Sequence, residues 1–373
     1  MCTRNTKRER AGAGYSARRT FLKNAARALA GAGAALALGS GCETMTHDRS
    51  HADGSGPFFR TRGVVVVPED IASWNWPEKA KEAGLTTIAT HPFPAEVEAF
   101  TATDEWHAFQ EACRRLGLHI EHELHAMGEL LPRDLFDRNP DMFRMDEHGD
   151  RVPDWNLCVH SPQAIEVVCE NLMRYAGKLR PTTGRHFYWI DDGRPMCRCP
   201  ECRGLTDSEQ ALLLENHMAD AIRRAYPGET VAHLAYLRTL DAPAQVRPHP
   251  GVFLEWAPIT RRFDRSIADR DAHGDTLDSL AANIEVFGAD GAQVLEYWLD
   301  ESLFYRAQRP PELVKIPWHA DVFHEDVDTY AGLGVRHITS FGVKVNGEYV
   351  SRFGEPPLNE YGSYLAGWRP RSR

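Results

Sequence analysis

Residues Gly63-Val64-Val65-Val66-Val67-Pro68 open the stretch whose rhythm decides the fold. A short apolar run rich in valine and bounded by Gly and Pro is the mark of a strand buried on both faces. Residues from Trp76 to Ala83 then have helical character and stop at Gly84, and Leu85 to Thr90 read as a second strand closed by His91-Pro92. Asp104 to Leu116 place Trp106, Phe109, Cys113 and Leu116 on one helical face before Gly117, and Leu118 to Leu124 form a third strand. Two units of strand and helix within 62 residues set the period for the rest of the chain.

The period continues as far as residue 341. Further strands are predicted at His186 to Ile190, Thr230 to Leu237, Val252 to Trp256, Gln293 to Trp298 and Val335 to Phe341. Helices are predicted at Pro162 to Leu179, Ser208 to Tyr226, Thr276 to Phe287 and Val322 to Gly332. Residues 126–160, with several Pro and Asp, interrupt the rhythm and read as a long excursion over one end of the fold. Eight strands alternating with helices predict parallel pairing, and at this length a closed (β/α)8 TIM-type barrel over 61–373, with a doubly wound open sheet as the alternative. No glycine-rich phosphate loop follows the first strand, which ends in Pro68-Glu69-Asp70, and this counts against a nucleotide site.

Residues 1–41 read as an export signal. Eight Lys and Arg fall there against one acid, Glu9, and Arg18-Arg19 are followed by Thr20-Phe21-Leu22-Lys23. The run from Ala28 to Gly41 is apolar but built from Ala and Gly, and it is shorter than the ~20 residues of a membrane span. A basic region, a short apolar region and small residues before a cut are the parts of a secretory signal, and the paired arginines point to the twin-arginine route. Gly39-Ser40-Gly41-Cys42 resembles a lipoprotein processing box, with Gly39 where Leu is usual. Lipidation of Cys42 predicts an anchored protein of the periplasm or cell surface, touching the membrane only through its lipid, whereas ordinary cleavage nearby leaves a free one. Residues 42–60 hold this cysteine and a polar linker. The chain carries 53 acids against 43 bases, net −10, and losing the basic signal makes the remainder more acidic still. Such a surface repels a polyanion, so no nucleic-acid partner is expected.

In a barrel the functional face lies where the strands end. The second strand ends at His91. The third, Leu118-His119-Ile120-Glu121-His122-Glu123-Leu124-His125, carries His119, Glu121, Glu123 and His125 on one face by alternation. The fourth ends in Asp191-Asp192, the fifth carries Tyr236 and Arg238, the sixth ends in Glu255-Trp256 and the seventh in Glu296-Tyr297-Trp298. Ser340 and Lys344 lie near the end of the eighth. Carboxylates beside Trp and Tyr suit a carbohydrate site, where acids work on the glycosidic bond and rings stack on sugar faces. Asp191, Asp192 and Glu296 are the predicted catalytic carboxyls, and His91, Glu123, His125, Tyr236, Glu255, Trp256 and Trp298 the predicted substrate contacts. Each also has a plainer use, in capping, ion pairing or packing.

Directly after the acid pair, Cys197-Arg198-Cys199-Pro200-Glu201-Cys202 sets three thiols in C-x-C-x-x-C spacing. With Cys158 or a histidine as a fourth ligand they can surround one structural Zn2+, and in an oxidising compartment they can instead pair as a disulfide. Cys113 and Cys169 fall on apolar helical faces and read as core residues.

Phe187-Tyr188-Trp189-Ile190-Asp191-Asp192, the cysteine block, a helix bearing Asn216, then Tyr226-Pro227 and Leu234-Ala235-Tyr236 together resemble a bacterial family of domains of unknown function. Asn156 to Pro162 also match the family's habit, and the resemblance covers roughly residues 60–345. It implies an exported protein with a barrel similar to those of alpha-glucuronidases and beta-hexosaminidases. Carried over from hexosaminidase-like relatives, Asp191 is the residue assisting the acetamido group and Asp192 the acid, although Asp192 is one methylene shorter than the Glu usual there. The resulting expectation is a glycoside hydrolase-like barrel acting on an oligosaccharide or a uronic acid-containing glycan by carboxylate acid/base chemistry. Two alternatives stand beside it: a non-catalytic glycan-binding barrel, and a zinc-dependent hydrolase using His91, His125 and Glu123.

Overall fold

The computed structural model describes residues 56–370, so the predicted signal, Cys42 and most of the linker lie outside the described residues. Eight strands close into one parallel barrel in chain order: β1 (Thr61–Val66), β2 (Thr87–Thr90), β3 (His119–His125), β4 (Arg185–Trp189), β5 (Thr230–Ala235), β6 (Val252–Trp256), β7 (Gln293–Glu296) and β8 (His337–Phe341). The ring is completed by β8 alongside β1, with Thr61 opposite His337 and Val65 opposite Phe341. The predicted (β/α)8 barrel is thus the observed fold, and the open sheet is set aside.

Alternation sorts each strand into two faces. Val65, Ala89, Phe187, Ala232, Phe253, Leu295 and Phe341, from seven different strands, pack together as the apolar filling of the barrel. Their neighbours Val64, Val66, Ile88, Leu254, Val294 and Ile338 face outward, onto the helical layer. That layer includes the helices Trp76–Glu82, Asp104–Leu116, Pro162–Lys178, Asp207–Ala225, Thr276–Phe287 and Ala320–Gly332. The helix stops follow local chemistry. Thr103 Oγ1 accepts the Trp106 amide at 3.1 Å, and Gly117 ends that helix with φ 66°. Thr206 and Glu209 exchange side chain-to-backbone bonds in a capping box at the start of Asp207–Ala225. Among the described residues no helix is long and apolar enough to cross a membrane.

Some strands end earlier than the sequence predicts. Leu237 takes φ 48°, which is incompatible with a strand and begins a turn after β5. Residues 297–300 leave the ladder after Glu296 to reach the helix Glu301–Ala307. The helix Leu358–Gly367, which has no predicted counterpart, seals the barrel over β1. Its Tyr361 hydroxyl donates to the Gly63 carbonyl at 2.7 Å. Gly362 sits so close to the end of the Trp76–Glu82 helix that an added Cβ would lie 2.1 Å from the Ala83 carbonyl oxygen. That contact is with backbone, which cannot swing away. Gly362→Ala is therefore expected to lower the unfolding free energy by about 1–3 kcal/mol. Gly177→Ala, on an exposed helical position with nothing near the new methyl, is expected to be neutral or to gain up to about 1 kcal/mol. Urea unfolding of the two variants checks both signs.

Candidate active site

The loops after the strands enclose a cavity of about 710 Å3 at the C-terminal mouth of the barrel. His91 follows β2, His125 ends β3, Trp189 ends β4, and Asp192, Tyr236, Tyr297 and Asp300 stand on the loops beyond β4, β5 and β7. Asp70, from the short helix Pro68–Ser73 after β1, and Lys344 and Asn346, from the loop after β8, close the opposite side.

The two histidines are held alike. His91 Nδ1 lies 2.6 Å from the Glu123 carbonyl and His125 Nδ1 lies 2.6 Å from the Ile190 carbonyl. A carbonyl can only accept, so each Nδ1 carries the proton and each neutral ring keeps Nε2 as an acceptor. Burial pushes the His91 imidazolium down to about 4, with neighbouring His125 acting the same way, and burial lowers His125 as well. His125 Nε2 is 3.9 Å from Asp192 Oδ1. The Tyr236 phenol beside Asp192 is shifted upward, first by burial and then by the aspartate's charge.

The acids differ in setting. Asp192 has a side chain 64% exposed. Asp300 is 4% exposed, and burial lifts its carboxyl to about 6 even though the Ser302 amide donates to Oδ1 at 2.9 Å. Asp70 is lifted to about 6 by the same cause, against the Lys344 amide at 2.7 Å and the Asn346 side chain at 2.8 Å. One cavity therefore combines a solvated carboxyl with two whose protonated form is favoured by burial. Aromatic surface completes it. Phe93, 68% exposed, stands at the entrance, while Trp189 lies 5.0 Å from the His125 ring and Tyr297 stacks on Phe341 at 5.4 Å.

Of the predicted site residues, His91, His125, Tyr236 and Asp192 meet here. Asp191, next to Asp192, turns away: its Oδ2 accepts from Arg133 at 2.9 Å and from the Asn156 amide at 2.5 Å. Glu296 follows the inward-facing Leu295 and so points outward, buried between β7 and the helix Ala320–Gly332. There it accepts from Arg261 at 2.7 Å and from Tyr330. Trp298 and Trp256 lie in the same outer layer, bonded to Asp326 at 3.1 Å and Ser279 at 2.9 Å. Glu123 and Glu255 point inward but lie beneath the cavity, where the Gln293 amide donates to them at 3.4 and 3.0 Å. Glu255 also accepts the Trp189 indole N–H at 2.8 Å and so holds a wall of the cavity from below. Asp70 and Asp300 are absent from the predicted set. Their signals were available in Pro68-Glu69-Asp70 directly after a strand, and in Asp300-Glu301-Ser302, where Asp300 caps a helix.

Among the described residues, the one group of three or more metal-binding side chains with ligand atoms within 4.8 Å of one another is Cys158, Cys197, Cys199 and Cys202, all buried. His91, His125 and Glu123 do not gather in this way. The cysteine quartet could hold a metal, and it lies behind the cavity rather than in it.

A family described as "Domain of unknown function (DUF4838)" matches residues 60–297. No curated protein matches the chain. Among solved structures it is similar to a beta-galactosidase from the psychrophilic Marinomonas ef1, at 12% identity and a TM-score of 0.47. That match covers 82% of this chain and 59% of the other, so the chain spans less than two thirds of that protein's length. It is also similar to a glycoside hydrolase family 5 enzyme from Prevotella bryantii B14 in complex with a xyloglucan tetradecasaccharide (11%, TM-score 0.46, 79% of this chain and 86% of that one). The catalytic domain of beta-amylase from Paenibacillus polymyxa is a third (12%, 0.46, 83% and 99%). At this similarity these structures assign no residue and no reaction.

The raised Asp300 carboxyl has a consequence for stability. The folded state holds this proton more tightly than the unfolded chain, so its contribution favours folding below the ordinary aspartate range and is lost as pH rises through about 6. Asp300→Asn, which keeps a helix-capping acceptor, is expected to raise the unfolding free energy at pH 7 by roughly 1–3 kcal/mol over the parent. At pH 4 the two proteins should unfold at about the same urea concentration.

Proposed function

We propose that the chain, which belongs to the DUF4838 family, is a glycoside hydrolase acting on glycans outside the cytoplasm. The observation that carries this reading is the single cavity in which a buried carboxyl raised to about 6 and a solvated carboxyl face a space lined by aromatic rings. Cleavage of a glycosidic bond needs one carboxyl to give a proton and a second to act as base or nucleophile. Asp300 is suited to the first role because burial favours its protonated form, and Asp192 to the second because it is open to water and substrate. The acceptor Nε2 atoms of His91 and His125 and the Tyr236 hydroxyl would meet sugar hydroxyls, and Phe93 at the entrance would stack on a pyranose face. The chemistry draws on side chains alone.

The roles differ from those implied by the resemblance to hexosaminidases. Asp191, fastened to Arg133, serves to hold the loop on which Asp192 stands, and Glu296 braces an outer helix. A screen of chromogenic glycosides and natural glycans tests the assignment. Asp192→Asn and Asp300→Asn are each expected to cut turnover by about 10²-fold or more with glycan affinity largely kept, and Phe93→Ala to weaken affinity by about 1 kcal/mol. Glycan binding by the parent with no turnover of any substrate would instead make the barrel a capture protein.

The export signal and lipid anchor belong to the same proposal, since a glycan-degrading barrel meets its substrate outside the cell. Replacing Arg18 and Arg19 by Lys is expected to leave unprocessed chain in the cytoplasm. Cys42→Ser is expected to move the mature protein from the membrane to the soluble fraction. Fractionation and immunoblotting read both, and normal export of the double Lys variant would sink the twin-arginine reading.

A further inference from the structure

We propose that Cys158, Cys197, Cys199 and Cys202 bind one Zn2+ as a tetrathiolate, and that this ion fastens the 126–160 excursion to the loop after β4. The four Sγ atoms lie within 4.8 Å of one another and all four residues are buried. Cys158 Sγ is 3.8 Å from both Cys199 Sγ and Cys202 Sγ. A tetrahedral site with Zn–S bonds of about 2.3 Å has sulfur–sulfur edges of about 3.8 Å. A disulfide would draw a pair of these sulfurs to about 2.05 Å, well inside the 3.8 Å at which Cys158 stands from Cys199 and Cys202.

The surroundings suit thiolates rather than thiols. The amides of Met145 and Cys199 point at Cys197 Sγ from 3.2 and 3.5 Å, and the Arg151 guanidinium lies 3.6 Å from the same sulfur. His160 Nδ1 is 3.2 Å from Cys202 Sγ. Neutral sulfur is a weak acceptor, so donors converging on it match the negative charge that a bound metal enforces, and they form the outer shell that orients such ligands. Backbone bonds shape the three-cysteine turn: the amides of Cys202 and Arg203 both donate to the Cys199 carbonyl. Gln210 ties that turn to the helix Asp207–Ala225 through the Cys197 amide and carbonyl, each at 3.1 Å.

The connection made is a specific one. Cys158 belongs to the excursion and the other three to the loop that carries Asp192. Two residues before Cys158, Asn156 accepts the Asp191 amide at 2.8 Å and donates to the Arg194 and Pro195 carbonyls. The ion would therefore join two segments that otherwise meet through hydrogen bonds, packing and the Arg133–Asp191 ion pair. This inference does not rest on the glycosidase reading, and its readouts do not use turnover.

The test is elemental analysis of the full chain purified without an affinity tag or chelator, followed by a thiol titration of the same sample. About one zinc per chain is expected, released in step with mercurial titration of four thiols. Replacing zinc by Co2+ should give thiolate-to-cobalt charge-transfer bands, and Cys199→Ser with Cys202→Ser should lower zinc content roughly tenfold or more. Because that variant could fail to fold, metal is also withdrawn from the native protein, with far-UV circular dichroism as the check on fold. Withdrawal should speed protease cleavage within 126–160 severalfold while the barrel persists. Absence of metal, iron in place of zinc, or loss of the thiols to a disulfide overturns the metal assignment. Zinc whose removal leaves cleavage in 126–160 unchanged overturns the fastening role.

Discussion

A strand in a closed parallel barrel has one face that looks inward and one that looks outward, and each side chain must take one or the other. The rest of the molecule depends on this. Leu295 faces in, so Glu296 faces out and is paired with Arg261 under an outer helix. Glu255 faces in, so Trp256 packs outside the barrel against Thr276–Phe287. Only residues near or beyond the ends of the strands escape the rule and can turn toward the mouth. The cavity is therefore lined by residues such as Asp192, Tyr236, Tyr297 and Asp300 rather than by mid-strand acids.

The barrel was legible because burial leaves a strong mark. Val64 to Val66 and the face of Trp106, Phe109 and Cys113 are apolar at the periods their elements demand. His91, His125 and Asp192 were legible because each follows or ends a strand whose bounds were clear. Glu296 and Trp298 were misplaced because nearness to a strand end is not enough to reach the mouth, and alternation from the inward-facing Leu295 sends Glu296, and Trp298 with it, to the outer layer. Asp191 and Asp192 could not be told apart from sequence, because what separates them is Arg133, 58 residues upstream. Asp70 and Asp300 were hidden by their ordinary look as acids at helix starts, and only the packing around them shows that they are buried.

Burial and local hydrogen bonding compete at those two acids. Each accepts a backbone amide, which favours the charged form, and each still sits near 6 because loss of water outweighs one or two donors. Below the mouth the same contest is sharper. Glu255 is pushed up to about 8 by burial, and Glu123 is raised alongside it, with Arg185 the cation acting on both. A barrel interior that could have been filled with aliphatic chains carries acids instead. Such residues cost stability, and they are tolerated where a wall such as Trp189 must be held in a set orientation.

The bond from Tyr361 to Gly63 joins residues 298 positions apart, and β1 cannot pair with β8 until both have formed. Closure of the ring is therefore a late event in folding, with a large loop-entropy cost to be met before its contacts reward it. Until then β1 is an open edge of valines, exposed to pairing with a neighbouring chain. The close seat of Gly362 against Ala83 acts on the far side of that step, as a latch on a ring already made. Weakening it should shorten the lifetime of the closed barrel more than it slows the approach to closure.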